Sequence, residues 1–410
     1  MKQQRELPKD PIVRDLVLKA RRQQLTRRTL LAGTGGAAAL AALAACSTDS
    51  EEPNGNTGLT PAEDLSDTQK TITWANWTLY LDEDDDANHP SLDQFVEKTG
   101  ISVDYKEDID GNNTFFAKIR DQLLLGQDTG YDTFCLTDWM VSRLVRGGLV
   151  QDLNAANIPN KKNLVDDLAN PDFDPGRNKS IPWQGGFAGV AWNTEALPQG
   201  IKSLEDIWKP ELKGKVTVLD ELRDTIGLIL MAQGVNISSN WGDNEFANAI
   251  DYLQQKVADN WVRRITGNSY TEDLERGDAI VSFAWSGDIT MMNYELGYDK
   301  YAFALPDSGG TLWTDTFSVP MGSPHKKNVE TMINHYYEPE VAAEVALWVN
   351  YITPVLGAKE FALEMDEEVA ENQLIFPSDE TLAQAHIFRS LTDEEDSRYN
   401  EQFQKIVLGA

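Results

Sequence analysis

The sequence predicts an α/β chain of two lobes, each built on a mostly parallel sheet and joined by a hinge of two crossing strands. Three observations predict it. Residues 71–146 alternate between strand and helix patterns, the order of a parallel sheet. An apolar strand at 187–193 follows, after which the same alternation restarts. Finally, the turn-forming pair Gly309-Gly310 releases the chain into a second extended stretch, 312–319, which reads as a return to the first half.

Taken in order, 71–74 alternate as a first strand, and Leu92, Phe95 and Val96 give helical spacing that Gly100 ends. Ile101, Val103 and Tyr105 alternate again. Phe115, Ile119 and Leu123 make a helical stripe stopping at Gly126. An apolar strand at 133–136 follows, and Thr137-Asp138 can cap a helix over 139–146. Residues 151–180 are loop-rich, with Pro159, Pro171 and Pro175. In the second half a helix is expected near 204–208, then a strand at 216–219 and a helix carrying Ile226 and Leu230. Phe246, Ile250, Leu253 and Val257 mark another helix, and 279–285 and 301–305 are runs suited to buried strands. Val341, Val345, Trp348, Val349 and Ile352 form a helical stripe after Pro339. The expected division is a first lobe of 70–190 plus 311–360 and a second of 191–310 plus 361–410. Trp74, Trp192, Trp348 and Cys135 are expected in the cores.

Charge divides the chain differently. Residues 1–45 hold nine Lys/Arg against three Asp/Glu, a net of +6, while the chain as a whole carries −30; the remainder therefore carries −36. Such a body repels nucleic acid and attracts cations. Arg27-Arg28 before an Ala, Gly and Leu-rich stretch resembles a twin-arginine export signal, and Leu43-Ala44-Ala45-Cys46 resembles a bacterial lipobox. We read 1–45 as a lipoprotein signal peptide, Cys46 as the lipidated residue and 46–69 as a flexible tether. The mature protein is then held on the outer face of the bacterial cytoplasmic membrane.

Aromatic and acidic residues recur after successive strands: Trp77 and Tyr80, Asp138 and Trp139, Glu221 and Asp224, Trp285 and Asp288, Trp313 and Asp315. Core packing explains any single tryptophan, and a first-turn acid at a helix start needs only the helix dipole. The recurrence of both together is what those explanations leave over. An alkyl amine wants this combination: methylenes stack on flat indoles, and ammonium heads need carboxylates where water is excluded. Loops at the carboxyl ends of parallel strands line the cleft of such a fold, and two lobes on a hinge can close there.

The motifs Asn76-Trp77-Thr78-x-Tyr80, Tyr131-Asp132, Trp208-Lys209-Pro210-Glu211-x-Lys213-Gly214, Asp220-Glu221-x-Arg223-Asp224 and Trp313-x-Asp315 occur in order from about residue 71 onward. The chain thereby resembles the spermidine/putrescine-binding proteins of bacterial polyamine ABC transporters. The resemblance implies the two-lobed periplasmic-binding-protein-like fold, a polyamine ligand, a membrane permease as partner, a monomer and no cofactor. It also implies roles. Trp77 and Tyr80 would stack on the ligand, with Thr137 and Trp139 beside them. Glu221 and Asp224 would hold one ammonium. Trp285 would pack on the alkyl chain, Asp315 beside Trp313 would clamp the other amine, and Tyr351 matches a further site tyrosine. Two positions depart from the family: Trp139 replaces a usual tyrosine, and Arg389 falls where a glutamine touches the ligand. A guanidinium there would repel an ammonium and welcome a carboxylate, which makes an ω-amino acid the alternative ligand.

Other chemistries lack their signatures. The histidines His89, His325, His335 and His386 show no zinc spacing, and no Gly-x-Ser-x-Gly elbow or phosphate loop appears. Carboxylate pairs suit glycoside hydrolysis, but here they stand with indoles, so a secreted hydrolase is the distant alternative. The run 82–86 alternates acids like a calcium loop, yet Ala87 stands where the turn needs Gly. We read it as a solvated loop that steers cations.

Overall fold

The computed structural model describes residues 58–409 except Asp85 and Asp110, within a compact unit running from Asn54 to Ala410. The expected signal peptide, Cys46 and the tether up to residue 57 lie outside the described residues.

The first lobe follows the alternation read from sequence: β1 (Thr71–Trp77), α1 (Pro90–Thr99), β2 (Ser102–Ile109), α2 (Asn112–Leu124), β3 (Thr133–Thr137) and α3 (Asp138–Arg146). Strand β1 pairs in parallel with both β2 and β3. Helix α1 starts on Pro90, whose fixed φ suits a first helical residue.

The first crossing strand, β4 (Ser180–Asn193), begins seven residues earlier than its apolar run suggests. Pro182, Gln184 and two glycines mask the start as a strand, but β9 holds that segment by antiparallel pairing from Ser180 to Ala188. Beyond it come β5 (Val216–Leu219), α4 (Leu222–Ala232), α5 (Asp243–Ala258), β6 (Val262–Thr266), α6 (Tyr270–Arg276), β7 (Val281–Trp285), α7 (Ser286–Leu296), β8 (Tyr301–Ala304) and the second crossing, β9 (Gly310–Ser318). The helix expected at 204–208 is a single 3-10 turn, Leu204–Trp208.

Two parallel sets, β2-β1-β3 and β7-β5-β6, are joined through the antiparallel pair β9 and β4. The two expected sheets are thus one continuous ten-stranded sheet, with β10 (Ala385–His386) beside β9 and β8 beside β4. One hydrophobic core packs on β5–β7 around Ile226, Leu253 and Phe283. Two others flank β1–β3, around Trp74 and Phe317 and around Phe115 and Phe134. Trp74 and Cys135 are fully buried there.

After β9, α8 (Lys326–Tyr336), α9 (Pro339–Val349), α10 (Ala358–Met365) and α11 (Glu367–Ala370) cover the first lobe. Asn350 ends α9 in the left-handed region at φ 61°, a conformation asparagine tolerates, so Ile352 leaves the helix and bridges to Gly185 instead. The expected boundary at residue 360 is corrected. Ala370, Ile375 and Phe376 still pack in the first-lobe core, whereas Leu391, Tyr399 and Phe403 pack in the second. The change of lobe therefore falls between 376 and 391, past α12 (Asp379–Leu382) and before α13 (Asp393–Val407).

The tether also ends sooner than residue 69. The Ala62 and Leu65 amides donate to Met321 and Pro324 carbonyls, and buried Ser66 accepts from the Asn328 amide through its hydroxyl. Hydrogen bonds to the start of α8 hold a polar segment that composition reads as free chain. Asp82 departs from the solvated-loop reading as well. It is 3% exposed, and its carboxylate takes the Ser91 amide at 2.8 Å and the Ser91 hydroxyl, clasping the start of α1.

Candidate functional site

Strand β9 organises the site. Thr311, Trp313 and Asp315 alternate along it, so their side chains share one face, with Thr311 and Asp315 roughly 13 Å apart along the strand. Asp315 is 5% exposed and lies opposite Thr137 in the ladder with β3. Thr137 was expected to cap α3. Its hydroxyl instead donates to Asp315 Oδ1 at 2.7 Å and accepts from Asn112 Nδ2 at 2.9 Å. Asp138 stays with the first lobe: Arg177 pairs with it through two bonds of 3.0 Å, and Thr316 donates to it.

Enclosure sets the protonation of Asp315. Burial pushes its carboxyl up to about 7, while the hydrogen bond from Thr137 works in the other direction. The neighbouring acids share the problem. Burial raises Asp224 and Asp288 as well, and carries Glu221 up to about 7, with Arg223 offsetting part of the rise.

At the other end of the face, Thr311 Oγ1 donates to Asp224 Oδ1 at 2.6 Å, and Trp285 Nε1 donates to Asp224 Oδ2 at 2.8 Å. Asp224 is in the first turn of α4, and Glu221 is the residue before it, accepting from the Arg223 amide at 3.2 Å. Trp285 ends β7. Its amide donates to Tyr270 Oη at 3.0 Å, and Tyr270 Oη donates in turn to Asp288 Oδ2 at 2.6 Å.

The lobes meet at Tyr351, which follows α9. Its ring stands edge-on to Trp313 at 5.2 Å and to Tyr80 at 5.8 Å, and its hydroxyl reaches Asp288 Oδ1 of the second lobe at 3.4 Å. Gly186 on β4 makes the room: a Cβ there would lie 2.6 Å from Trp313 Cζ2 and 2.9 Å from Tyr351 Cδ1. Trp77, at the end of β1, donates from Nε1 to the Cys135 carbonyl at 3.0 Å. Trp139 of the first lobe lies under the Arg223 guanidinium, 4.1 Å from ring to Cζ.

Contacts thus link Tyr80, Trp313 and Tyr351 into one group, Thr137 with Asp315, Asp224 with Trp285, and Trp139 with Arg223 beside Glu221. Arg389 is not brought to any of them. It donates to Glu395 through both Nη atoms, at 3.0 and 2.8 Å, and to the Ser390 and Trp241 carbonyls at 2.9 Å, with its guanidinium stacked on Trp241. The reading of Arg389 as a clamp for a carboxylate ligand is therefore corrected: its Nη donors are already spent on Glu395 and the backbone. Two contributors, Asn112 and Thr311, carry no signal in the sequence, and Asp288 is named there beside Trp285 without a role of its own.

Chemically, the arrangement is a face of rings bordered by carboxylates that burial strains toward protonation. A cation that displaces those protons relieves the cost of the enclosed charges. Among the described residues no group of acids, histidines and cysteines could hold a metal ion, and no helix is long and apolar enough to cross a membrane.

A fold of two parallel sets joined by two crossing strands, with rings and acids gathered where the lobes meet, defines a hinged solute-binding protein. The family model described as bacterial extracellular solute-binding protein matches residues 91–377, and the chain belongs to that family, whose members bind transported solutes and are not enzymes. The spermidine/putrescine-binding periplasmic protein of Escherichia coli is 27% identical over 346 residues, covering 84% of this chain and 93% of the relative. The putrescine-binding periplasmic protein PotF of the same organism is 26% identical over 336 residues, covering 76% and 85%. Among solved structures, the spermidine/putrescine ABC transporter substrate-binding protein of Streptococcus pneumoniae, in complex with calcium and HEPES, matches at a TM-score of 0.70 and 25% identity, covering 83% of this chain and 99% of its own.

Proposed function

We propose that this chain is the solute-binding lipoprotein of an ABC importer and that its ligand is a polyamine, spermidine or putrescine. One observation carries the reading: Asp224 and Asp315 anchor opposite ends of a single strand face whose middle is Trp313, and burial lifts the proton affinity of both. A ligand with cationic ends and an alkyl spacer matches that order of groups. One ammonium goes to Asp224 with Glu221, another to Asp315, Asp288 stands beside Tyr351, and Trp77, Tyr80, Trp139, Trp285, Trp313 and Tyr351 supply the faces. The names of the Escherichia coli relatives support the ligand class. The engagement of Arg389 with Glu395 leaves an ω-amino acid without its expected carboxylate partner.

The remaining parts of the reading concern delivery. The twin-arginine signal would export the chain, a lipid on Cys46 would hold it at the outer face of the membrane, and the monomer would pass its ligand to a permease. Titration of tryptophan fluorescence with spermidine, putrescine and an ω-amino acid tests the ligand. Silence toward both polyamines at millimolar concentration removes that assignment. Release of a Cys46→Ser variant from the membrane fraction tests the anchor.

A further inference from the structure

Helix α13 opens with four acids, Asp393 to Asp396, and two of them reach the opposite lobe. Asp396 is 3% exposed, and each of its oxygens takes a different guanidinium. Oδ1 accepts from Arg223 of the second lobe at 2.6 Å, and Oδ2 accepts from Arg143 of helix α3 in the first lobe at 2.5 Å. Asn400 Nδ2 adds a bond of 3.0 Å to Oδ1. One turn further along α3, Arg146 donates to Asp393 at 2.6 Å.

Arg223 ties this cluster to the site. It stands between Glu221 and Asp224 at the start of α4, and its guanidinium lies on Trp139 of the first lobe. The Arg223–Asp396 pair belongs to the second lobe alone and would survive separation of the lobes. The Arg143–Asp396 and Arg146–Asp393 pairs and the Trp139–Arg223 stack exist only while the lobes are together. Two lobes rich in acids otherwise repel one another on closing, and these arginines are the cations that the first lobe sends across.

We propose that Asp396 is a positioning residue for ligand retention: paired with Arg143 it latches the lobes shut, and paired with Arg223 it ties that closure to the helix presenting Glu221 and Asp224. The proposal rests on the reading of the site as a ligand cleft. Removing Asp396 takes from two guanidiniums the carboxylate they share inside the closed junction, a costly loss where water is excluded. Opening the lobes returns Arg143 to water, so loss of Asp396 shifts the equilibrium toward the open form, from which ligand escapes.

The test uses the mature chain and its variants Asp396→Asn, Arg143→Gln, the double variant and Asp396→Glu, followed by stopped-flow tryptophan fluorescence with spermidine and with putrescine. Each single variant is expected to raise the dissociation rate by about tenfold or more, with the association rate little changed. The double variant is expected to be no faster than the worse single, because both remove the same contact. Asp396→Glu should recover part of the loss, which an effect on folding alone would not produce. Unchanged dissociation in both singles, or rate effects that multiply in the double, would overturn the latch. Small-angle scattering of the ligand-free proteins separates this from the ligand assignment. If neither polyamine changes the fluorescence, the site reading fails, yet a larger radius of gyration in Asp396→Asn still supports the latch and an equal one refutes it.

Discussion

Asp224 receives the indole N–H of Trp285 at 2.8 Å, so the acid at the start of α4 and the ring at the end of β7 act as one unit. The bond spends the polar edge of the tryptophan on the carboxylate and leaves its flat faces to pack. It also favours the charged form of an acid that burial pushes toward neutrality. Trp285→Phe keeps a ring and deletes the donor. A hydrogen bond to a charged group is worth roughly 1.5–3 kcal/mol, so polyamine affinity is expected to fall roughly ten- to hundredfold. Calorimetric titration measures it, and an unaltered dissociation constant would separate Trp285 from the ligand.

Proton linkage follows from the two acids carried up to about 7, Asp315 and Glu221. Each binds more protons in the folded, ligand-free chain than in the unfolded one, where carboxyls titrate near about 4. Their contribution to stability is therefore complete below about pH 4 and lost as pH rises through about 7. Through these groups, the ligand-free protein should melt at a lower temperature at pH 8 than at pH 6. An ammonium favours the ionised carboxylates, so binding releases protons and affinity climbs from pH 5 to pH 8. Titration calorimetry in buffers of different ionisation enthalpy reads the proton count directly; no release near pH 7 would mean that both acids are already charged.

What sequence shows of this molecule is what periodicity and local spacing encode. β1, β2 and β3 alternate strand with helix and were legible as elements, although β1 runs on to Trp77 and β2 to Ile109, past the stretches that alternation marks. Ser180 to Gln184 were not, because β9 makes them a strand by pairing and their own composition does not. The pair Trp313 and Asp315 was legible because two residues along a strand share a face. Thr311 and Asn112 were not, since their value lies in bonds to Asp224 and Thr137, 87 and 25 residues away. Arg389 shows the reverse failure. Counting from a family pattern gives a position along the chain, and only Glu395 and Trp241 decide which way the guanidinium turns.

That placement gives Arg389 a different expected phenotype. Its carboxylate partner, Glu395, also accepts the Thr392 amide in the capping box that starts α13. Arg389→Gln should leave affinity for spermidine and putrescine unchanged while lowering stability by about 1.5–3 kcal/mol, the worth of charge-assisted bonds. Urea unfolding and a binding isotherm on the same preparation check both halves. Weaker polyamine binding at undiminished stability would put the side chain back in the cleft.

The contact between Tyr351 and Gly287 makes the sharpest demand on closure. A Cβ on Gly287 would lie 2.5 Å from Tyr351 Cε1 and from Cζ, closer than any real contact, and the two residues belong to different lobes. Tyr351 cannot simply swing aside, because Trp313 and Tyr80 stand edge-on to its ring and Gly186 bounds it from β4. Tyr351 packs at the edge of the first-lobe core, but Gly287 supports none: α7 begins at Ser286 with ordinary helical geometry, and alanine suits a first turn better than glycine does. Gly287→Ala is therefore expected to act on the junction and spare the fold. Melting temperature should hold or rise slightly, while polyamine affinity drops at least about tenfold as the lobes are wedged apart. Adding Tyr351→Ala should relieve the clash and narrow the gap to the Tyr351→Ala single variant. If Gly287→Ala binds as tightly as the parent chain, the lobes meet differently when ligand is held.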